Sequence, residues 1–237
     1  MIDLHAHVLP GVDDGAKSVS ESLEMLLDAF SQGVRTCAGT PHMILHKDNA
    51  LELFLERREE SVSRLRAGME ESTLPLPELC LGAEVFLDHD IHELPNVEKL
   101  CIGETPYMLI ELPFTRYNPY WSEWVYSLTL KGILPVIAHI ERYAAAERIL
   151  ADFSGMPVFF QLNASLVSSF RGKRFFKKLL AADIPCLFSS DMHNTKTRKC
   201  EMQKAFRYVH KRFPEAADIL FTEHAHTILS TRRCEIA

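Results

Sequence analysis

Two histidines and two aspartates near the start of the sequence could bind a metal ion. His5 and His7 occupy alternate positions of an apolar segment, and Asp13 and Asp14 follow after a Pro-Gly pair. Residues i and i+2 of a β-strand lie on one face, so the two imidazoles can face the same ion. The Pro-Gly pair predicts a turn that returns one of the aspartates to this region. Because a His-x-His pair often arises by chance, it gains weight only if further ligands converge on it.

Further polar side chains follow the later apolar runs. They are His42, Glu84, Glu111, His139, Gln161, Asn163, Asp191 and His193. Functional residues of α/β folds gather at the carboxyl ends of the strands, so we expect these side chains to meet. Buried imidazoles and carboxylates are costly to place together without cations. A set of nitrogen and oxygen ligands without thiolates suits zinc, manganese or iron, and its size predicts two or three ions.

The elements that must position these residues alternate along the chain. Strands are predicted at about 1–7, 34–41, 79–86, 106–113, 133–139, 157–163 and 185–190, mostly as continuous apolar runs typical of strands buried on both faces. Helices are predicted from the capping box at Ser18 to Gly33, at 48–70, 120–131, 170–183 and 199–212, and as two short helices after 214. Seven successive βα units predict an α/β fold with a parallel sheet, and seven strands favour a closed barrel. We expect a single domain over residues 1–237.

Composition excludes several classes of protein. The formal net charge of −6 argues against a nucleic-acid partner. No apolar run approaches the roughly 18–20 residues of a membrane span, and no secretory leader is expected. The six cysteines are widely spread without a C-x-x-C pair, which favours reduced thiols and a cytoplasmic location.

Four segments carry a resemblance to a known family. Residues 3–16, 82–84, 137–143 and 190–194 resemble the polymerase-and-histidinol-phosphatase (PHP) superfamily. More narrowly, the chain resembles its bacterial manganese-dependent protein-tyrosine-phosphatase branch, which is linked to capsule and exopolysaccharide synthesis. The resemblance implies a distorted seven-stranded, TIM-like (β/α)7 barrel with three divalent ions, manganese first, with iron, zinc or magnesium as alternatives.

The resemblance also implies a role for each candidate residue. The first ion would be held by His5, His7, Glu84 and Asp191; Glu84 would bridge to a second ion completed by Glu111 and His139; and the third would be held by Asp14, His42 and His193. Asp13 would then have a structural role. Arg142 and Arg198 match the family's phosphate-binding arginines, and a planar guanidinium can clamp phosphate oxygens.

The expected activity is hydrolysis of phosphotyrosine by attack of a metal-bound hydroxide. The resemblance implies a phosphotyrosine protein as partner, namely a bacterial tyrosine autokinase. Two alternatives stay open: a small-molecule phosphatase acting on a substrate such as histidinol phosphate, and a non-catalytic metal-binding regulatory domain. Homo-oligomerisation is also open.

Cysteine-based phosphatase chemistry is excluded by spacing. It needs an arginine six residues after the nucleophile, where this chain has Met43, Phe86, Tyr107, Met192 and Phe206 after its first five cysteines. Two segments keep open roles: the aromatic stretch 113–121 could line the substrate pocket or cap the fold, and His46 could reach the mouth of the site. The charged run 56–66 is interpreted as a solvated helix face.

Overall fold

Parallel strands alternate with helices throughout the computed structural model, which describes residues 1–45, 50–114 and 117–232. The strands are β1 (Ile2–Ala6), β2 (Thr36–Gly39), β3 (His42–Ile44), β4 (Glu78–Leu81), β5 (Glu84–Phe86), β6 (Tyr107–Glu111), β7 (Leu134–Ile137), β8 (Phe159–Asn163) and β9 (Cys186–Ser189). The α-helices are α1 (Val19–Ser31), α2 (Ala50–Glu71), α3 (Trp121–Leu130), α4 (Ala146–Asp152), α5 (Phe170–Ala181), α6 (Met202–Arg212), α7 (Pro214–Asp218) and α8 (His224–Ser230). All seven predicted strand regions are confirmed, whereas α4 was not predicted.

The strands form two parallel sheets. One has the order β1-β2-β4 and the other the order β3-β5-β6-β7-β8-β9, and within the described ranges neither closes on itself through its strand pairing. The predicted parallel α/β architecture is therefore confirmed. The seven predicted strands become nine for two reasons. The predicted strand 79–86 is interrupted between β4 and β5, and β3 follows β2 after a second interruption, just past the predicted end at residue 41.

The two interruptions lie side by side. β2 and β3 are separated by Thr40 and Pro41, and β4 and β5 by Gly82 and Ala83. Proline cannot donate a ladder hydrogen bond, which accounts for a break at this position. Backbone bonds still cross it, because Gly82 N donates to the carbonyl of Gly39 at 3.0 Å and Glu84 N to that of Pro41 at 3.0 Å.

The outer strands β1 and β9 also meet at their carboxyl ends. Asp191 N donates to the carbonyl of His5 at 2.8 Å, and His7 N donates to that of Met192 at 2.9 Å. An isolated parallel bridge joins Ala6 and Met192. These contacts bring the first and last strands together where the candidate ligands stand.

Apolar side chains cover both faces of the strands. One cluster, which includes Leu4, Leu109 and Leu187, lies on the face where α8 packs through Ala225 and Ile228. The opposite faces pack against the surrounding helices in a larger cluster. Burial on both faces explains the continuous apolar runs in the sequence. No helix in the described ranges is long and apolar enough to cross a membrane.

Candidate metal centre

Nine predicted ligands converge at the carboxyl ends of the strands. They are His5, His7, Asp14, His42, Glu84, Glu111, His139, Asp191 and His193. In the described chain, ligand atoms of seven of them form three overlapping groups, and His139 and Asp191 lie within 3.6 Å of members of those groups. Two of the predicted ligands stand two residues past the ends of β7 and β9 with left-handed backbone, His139 at φ 32° and Asp191 at φ 52°. Such strain in non-glycine residues is typical of functional sites, where surrounding structure maintains it.

The first group is buried. The Oε2 atom of Glu84 lies 3.1 Å from His5 Nε2 and 3.2 Å from His7 Nε2. Asp191 Oδ1 lies 3.6 Å from each of the same two nitrogen atoms. These four residues are those that the family resemblance assigned to the first ion.

The second group shares Glu84 with the first. His139 Nε2 lies 2.8 Å from Glu84 Oε1 and 3.4 Å from Glu111 Oε1. His42 Nδ1 also reaches this group, at 3.0 Å from Glu84 Oε2 and 4.0 Å from Glu111 Oε2. The approach of His42 to this pair was not predicted.

The third group is the most exposed one. Asp14 Oδ1 lies 3.4 Å from His42 Nε2 and 3.3 Å from His193 Nε2. The ring of His7 packs against that of His193 with a centroid distance of 3.7 Å, which adds His7 to this group. The side chain of Asp14 is 61% exposed, so this group forms the open side of the centre.

The donor set fits divalent cations on the evidence of two buried atoms. Glu84 Oε2 has three imidazole nitrogens at 3.0–3.2 Å yet no partner with hydrogen-bond geometry among the described residues. His193 Nε2 is likewise buried without a hydrogen-bond partner there. Buried polar atoms are normally satisfied, and these two point at neighbouring ligand atoms. Lone pairs that converge without hydrogen bonds are suited to a metal ion.

The carboxylates and imidazoles shift each other's protonation. Burial lowers the pKa of His5, but the Glu84 and Asp191 carboxylates outweigh it and raise the pKa to about 10. The pKa of His42 is raised to about 9, since Glu84 again outweighs burial. The pKa of Glu84 lies well below its usual range, because His5 and the other imidazoles outweigh burial. Burial and the neighbouring His7 lower the pKa of His193 to about 3, which leaves its imidazole neutral.

Two amide side chains of β8 connect the ligands from behind. Gln161 Oε1 accepts a hydrogen bond from the backbone N–H of His139 at 2.6 Å and lies 3.1 Å from His5 Nδ1. Gln161 Nε2 donates to Asn163 Oδ1 at 2.9 Å, and Asn163 Nδ2 donates to Asp191 Oδ2 at 2.8 Å. This chain of hydrogen bonds therefore fixes three candidate ligands from different strands. From the sequence, Gln161 and Asn163 were identified as polar residues near the end of a strand, but no role was predicted for them.

Asp13 lies behind His7 rather than in the centre. Its Oδ2 atom is 2.6 Å from His7 Nδ1 and accepts a hydrogen bond from the backbone of His42 at 3.0 Å. A carboxylate on Nδ1 orients the ring and leaves Nε2 facing Glu84. Gly15 is required in this turn, because a Cβ there would lie 2.1 Å from the carbonyl oxygen of His7.

Helix α2 holds the turn that carries Asp14. Arg57 donates to the carbonyl of Val12 at 2.9 Å, and Ser61 and Arg64 donate to that of Pro10 at 2.9 and 3.1 Å. Most charged side chains of residues 56–66 are exposed, which agrees with the interpretation as a solvated helix face, but Arg57 and Arg64 also bind this turn. One side of the helix orders backbone that positions a candidate ligand.

Two arginines border the open side of the centre. Arg198 Nη2 lies 2.9 Å from Asp191 Oδ1 and its Nη1 lies 3.4 Å from Asp14 Oδ2, while Arg142 Nη1 lies 3.5 Å from Asp191 Oδ2. Their side chains are 39% and 42% exposed, so both guanidinium groups face the centre and the solvent. The phosphate-binding role that the family resemblance implies for both residues stays a prediction.

The aromatic stretch 113–121 divides into two parts. Phe114 stacks on His139 with a centroid distance of 5.4 Å, and Arg142 Cζ lies 4.6 Å over its ring. Tyr117 and Trp121 instead contact each other away from the centre, and Tyr117 hydrogen-bonds to Asp152. Thr115, Arg116 and the separately considered His46 lie outside the described residues.

Fold and site together define an α/β protein with a candidate multinuclear metal centre of histidine and carboxylate ligands. The model of the capsular polysaccharide synthesis CpsB/CapC family matches residues 1–230. The chain belongs to this family.

Named relatives and a solved structure extend the similarity over nearly the full length. The chain is 31% identical over 236 residues to the tyrosine-protein phosphatase YwqE of Bacillus subtilis, covering 97% of this chain and 91% of the relative. It is 32% identical over 244 residues to the tyrosine-protein phosphatase CpsB of Streptococcus pneumoniae, covering 97% and 98%. A structure described as one of the crystal structures of YwqE and CpsB, "unique metal-dependent tyrosine phosphatases", superimposes with a TM-score of 0.85 at 30% identity, covering 98% of this chain and 95% of that one.

Proposed function

We propose that this protein is a metal-dependent phosphotyrosine-protein phosphatase. The observation that carries the proposal is the convergence of imidazole nitrogens on Glu84 Oε2, with two guanidinium groups on the adjacent open side. A set of ligands without guanidinium groups would suit metal storage equally well. The combination suits a dianionic phosphate ester, and the similarity to tyrosine-protein phosphatases supports phosphotyrosine as the ester.

The proposed centre contains three divalent ions. His5, His7, Glu84 and Asp191 would hold the first, Glu84, Glu111 and His139 the second, and Asp14, His42 and His193 the third. Part of this division is supported by the groups of ligand atoms, which bring together His5, His7 and Glu84, join Glu84 to Glu111, and bring together Asp14, His42 and His193. His139 and Asp191 are added by their contacts with Glu84 and with His5 and His7. Manganese is the proposed metal, although histidine and carboxylate ligands also accept iron, zinc and magnesium.

We also propose that the two sheets act as one distorted seven-stranded barrel in a single domain. The backbone bonds across the β2–β3 and β4–β5 interruptions support counting each pair as one strand. The bridge between Ala6 and Met192 supports contact between the first and last strands. The match of the family model to residues 1–230 supports a single domain.

When bound, the ions supply positive charge that neutralises phosphate oxygens and makes water more acidic. The chain itself binds and orients the ester. Arg142 and Arg198 donate N–H hydrogen bonds to the non-bridging phosphate oxygens. Because the negative charge on these oxygens grows in the transition state, the two guanidinium groups stabilise the transition state more than the ground state. The enclosed side chains of His5, His7 and Glu84 exclude solvent from the opposite side, so the ester enters beside Asp14.

The proposed substrate is the autophosphorylated tail of a bacterial tyrosine kinase, in agreement with the capsule-synthesis family. Side-by-side turnover of a phosphotyrosine peptide and histidinol phosphate by metal-loaded protein tests the substrate class. We expect the peptide to be preferred, and chelation to abolish turnover. Preference for histidinol phosphate would overturn the protein substrate, and activity that survives both chelation and His139→Ala would overturn the metal mechanism.

A further inference from the structure

A large cleft opens from the centre on the side of the two arginines. It has a volume of about 1120 Å³, and Arg142, Asn163, Asp191 and Arg198 line its inner end. A phosphotyrosine side chain alone does not need this space, since drug-sized ligands occupy pockets of roughly 300–1,000 Å³. The cleft therefore has room for residues that flank the phosphorylated tyrosine.

One wall of the cleft is a single face of α5. Arg171, Arg174, Phe175 and Lys178 all line it and follow the i, i+3, i+4, i+7 spacing of one helical face. The start of this helix is fixed against the chain before it. Ser169 caps Gly172 N at 2.9 Å, and a Cβ on Gly172 would lie 2.1 Å from the carbonyl oxygen of Leu166. The basic side chains thus extend from a rigid support.

The opposite wall is formed by residues 143–148. Lys178 Nζ lies 2.6 Å from Glu147 Oε1 and joins the two walls. Arg148 Cζ lies 3.9 Å over the ring of Tyr117, and its Nε atom is 3.7 Å from Asp152 Oδ2. The basic groups on Lys178 and Arg148 are therefore engaged within the protein.

Charge in the cleft differs in sign from that of the whole chain. Six basic side chains line it against three acidic ones, in a protein whose formal net charge is −6. Of the acidic groups, Glu147 pairs with Lys178, and Asp191 lies beside Arg142 and Arg198. Arg171 and Arg174 are exposed side chains on the cleft face of α5. They supply positive charge outside the phosphate site.

We propose that this cleft binds an anionic segment of the substrate polypeptide, with Arg171 and Arg174 contacting negatively charged groups next to the phosphotyrosine. The proposal rests on the proposed phosphatase function and narrows its substrate class. Carboxylates of aspartate and glutamate or the phosphate of a second phosphotyrosine share the required chemistry, because a guanidinium group binds both.

Three phosphotyrosine peptides that differ only in their flanking residues test the proposal. One has neutral flanks, one has aspartate and glutamate flanks, and one has a second phosphotyrosine. The measurements are kcat/KM with metal-loaded protein, and binding of the same peptides with a non-hydrolysable phosphonate in place of the target phosphate. Wild-type protein is expected to prefer anionic flanks, and the better of the two anionic peptides identifies the source of the charge. The preference should fall as ionic strength rises.

The double variant Arg171→Ala/Arg174→Ala removes the two cations. It should lower kcat/KM for the anionic peptides by about 2–30-fold, the range that two partly exposed ion pairs support, mainly through KM. Lys177→Ala is the matched control, because Lys177 is an exposed cation of the same helix outside the cleft lining. The charge reversal Arg171→Glu/Arg174→Glu should make the neutral peptide the preferred one.

Two results would overturn the inference: equal kcat/KM for all three peptides in wild-type protein, or an equal loss in Lys177→Ala and in the double variant. Failure of the proposed function is distinguishable from both. In that case metal-loaded wild-type protein would hydrolyse none of the peptides, and phosphonate binding would still report whether the cleft selects anionic flanks.

Discussion

Gln161 Oε1 lies 3.1 Å from Nδ1 of His5, and both side chains are fully buried. A carbonyl oxygen only accepts, so His5 carries its proton on Nδ1 and keeps Nε2 for the centre. The same oxygen accepts the backbone N–H of His139, which holds that residue in its left-handed conformation. Gln161 therefore positions two candidate ligands without contacting the centre itself.

Gln161→Leu should weaken metal binding by about 10–100-fold, the usual cost of losing a partner behind a metal ligand. Metal affinity measured by competition with a chelator, together with the metal dependence of turnover, checks this. High metal concentration should restore much of the activity. Gln203→Leu is the control, because Gln203 lies on α6, outside the candidate centre. Unchanged affinity in Gln161→Leu would contradict the positioning role.

Arg142→Lys and Arg198→Lys test the phosphate clamp. Lysine keeps the charge but loses the planar fork, so each variant should lower kcat by about 10²–10³, comparable to the loss of an oxyanion donor. Metal content should stay unchanged, since neither arginine belongs to the ligand set. Steady-state kinetics on a phosphotyrosine peptide, with metal analysis of the same sample, separates the two effects. Full activity in both variants would remove the arginines from the mechanism.

Phe114 packs against Arg142, one of these two arginines. Its ring lies under the guanidinium of Arg142 and stacks on His139 and Tyr143. Phe114→Leu removes a cation–π contact worth about 0.5–1 kcal/mol at exposed sites, so KM should rise by about 2–5-fold. Phe114→Tyr keeps the aromatic face and should behave as wild type. An equal rise in KM in both variants would show that shape, rather than the aromatic face, matters there.

Four cysteines of the described chain, Cys37, Cys80, Cys186 and Cys200, should be inert at neutral pH. Burial raises the pKa of Cys80 and of Cys186 to about 12, and burial also raises the pKa values of Cys37 and Cys200. Iodoacetamide near pH 7 should therefore leave turnover unchanged, because only the thiolate reacts. If iodoacetamide inactivated the protein at pH 7 and a phosphate ester protected it, the result would support a mechanism with a cysteine thiolate as nucleophile.

The same thiol shifts have a consequence for stability. Thiols of the unfolded chain have a pKa near 8.5, which is below their pKa values in the folded protein. Below about pH 8.5 the thiols are protonated in both states, so their contribution to the free energy of unfolding does not change with pH. Above that pH the unfolded state loses protons first, and the free energy of unfolding should decrease as the pH rises toward 12. Urea denaturation at pH 7, 9 and 10 measures this slope, and Cys186→Ala should reduce it.

Most strands and most of the nine converging residues could be predicted from the sequence, because both depend on local signals. The strand β3 was missed, and only the family resemblance favoured Asp14 over Asp13. Apolar runs mark buried strands, and polar side chains such as His139 and Asp191 stand where those runs stop. Their role as ligands stays a prediction. Helix α4 was missed because its seven residues are too few for a clear helical period.

The supporting contacts could not be read from the sequence, because they join residues far apart in the chain. The contacts from Gln161 to His5, from Arg64 to Pro10 and from Phe114 to His139 depend on tertiary packing. A buried glutamine in the middle of β8 was the one available signal. A polar residue in a strand buried on both faces needs a partner.

The central claim is that Glu84 joins metal ions on which phosphotyrosine hydrolysis depends. The most direct test measures bound metal per chain and phosphotyrosine-peptide turnover in the same samples of wild type, Glu84→Ala and the exposed control Glu60→Ala. The account predicts two or more ions per chain in wild type and control. Glu84→Ala should lose bound metal, and its turnover should fall by more than about 100-fold. This exceeds the loss of about 10–100-fold that is usual when a residue behind a metal ligand, such as Gln161, is replaced. Wild-type turnover in Glu84→Ala, or full activity in metal-free wild type, would contradict the account.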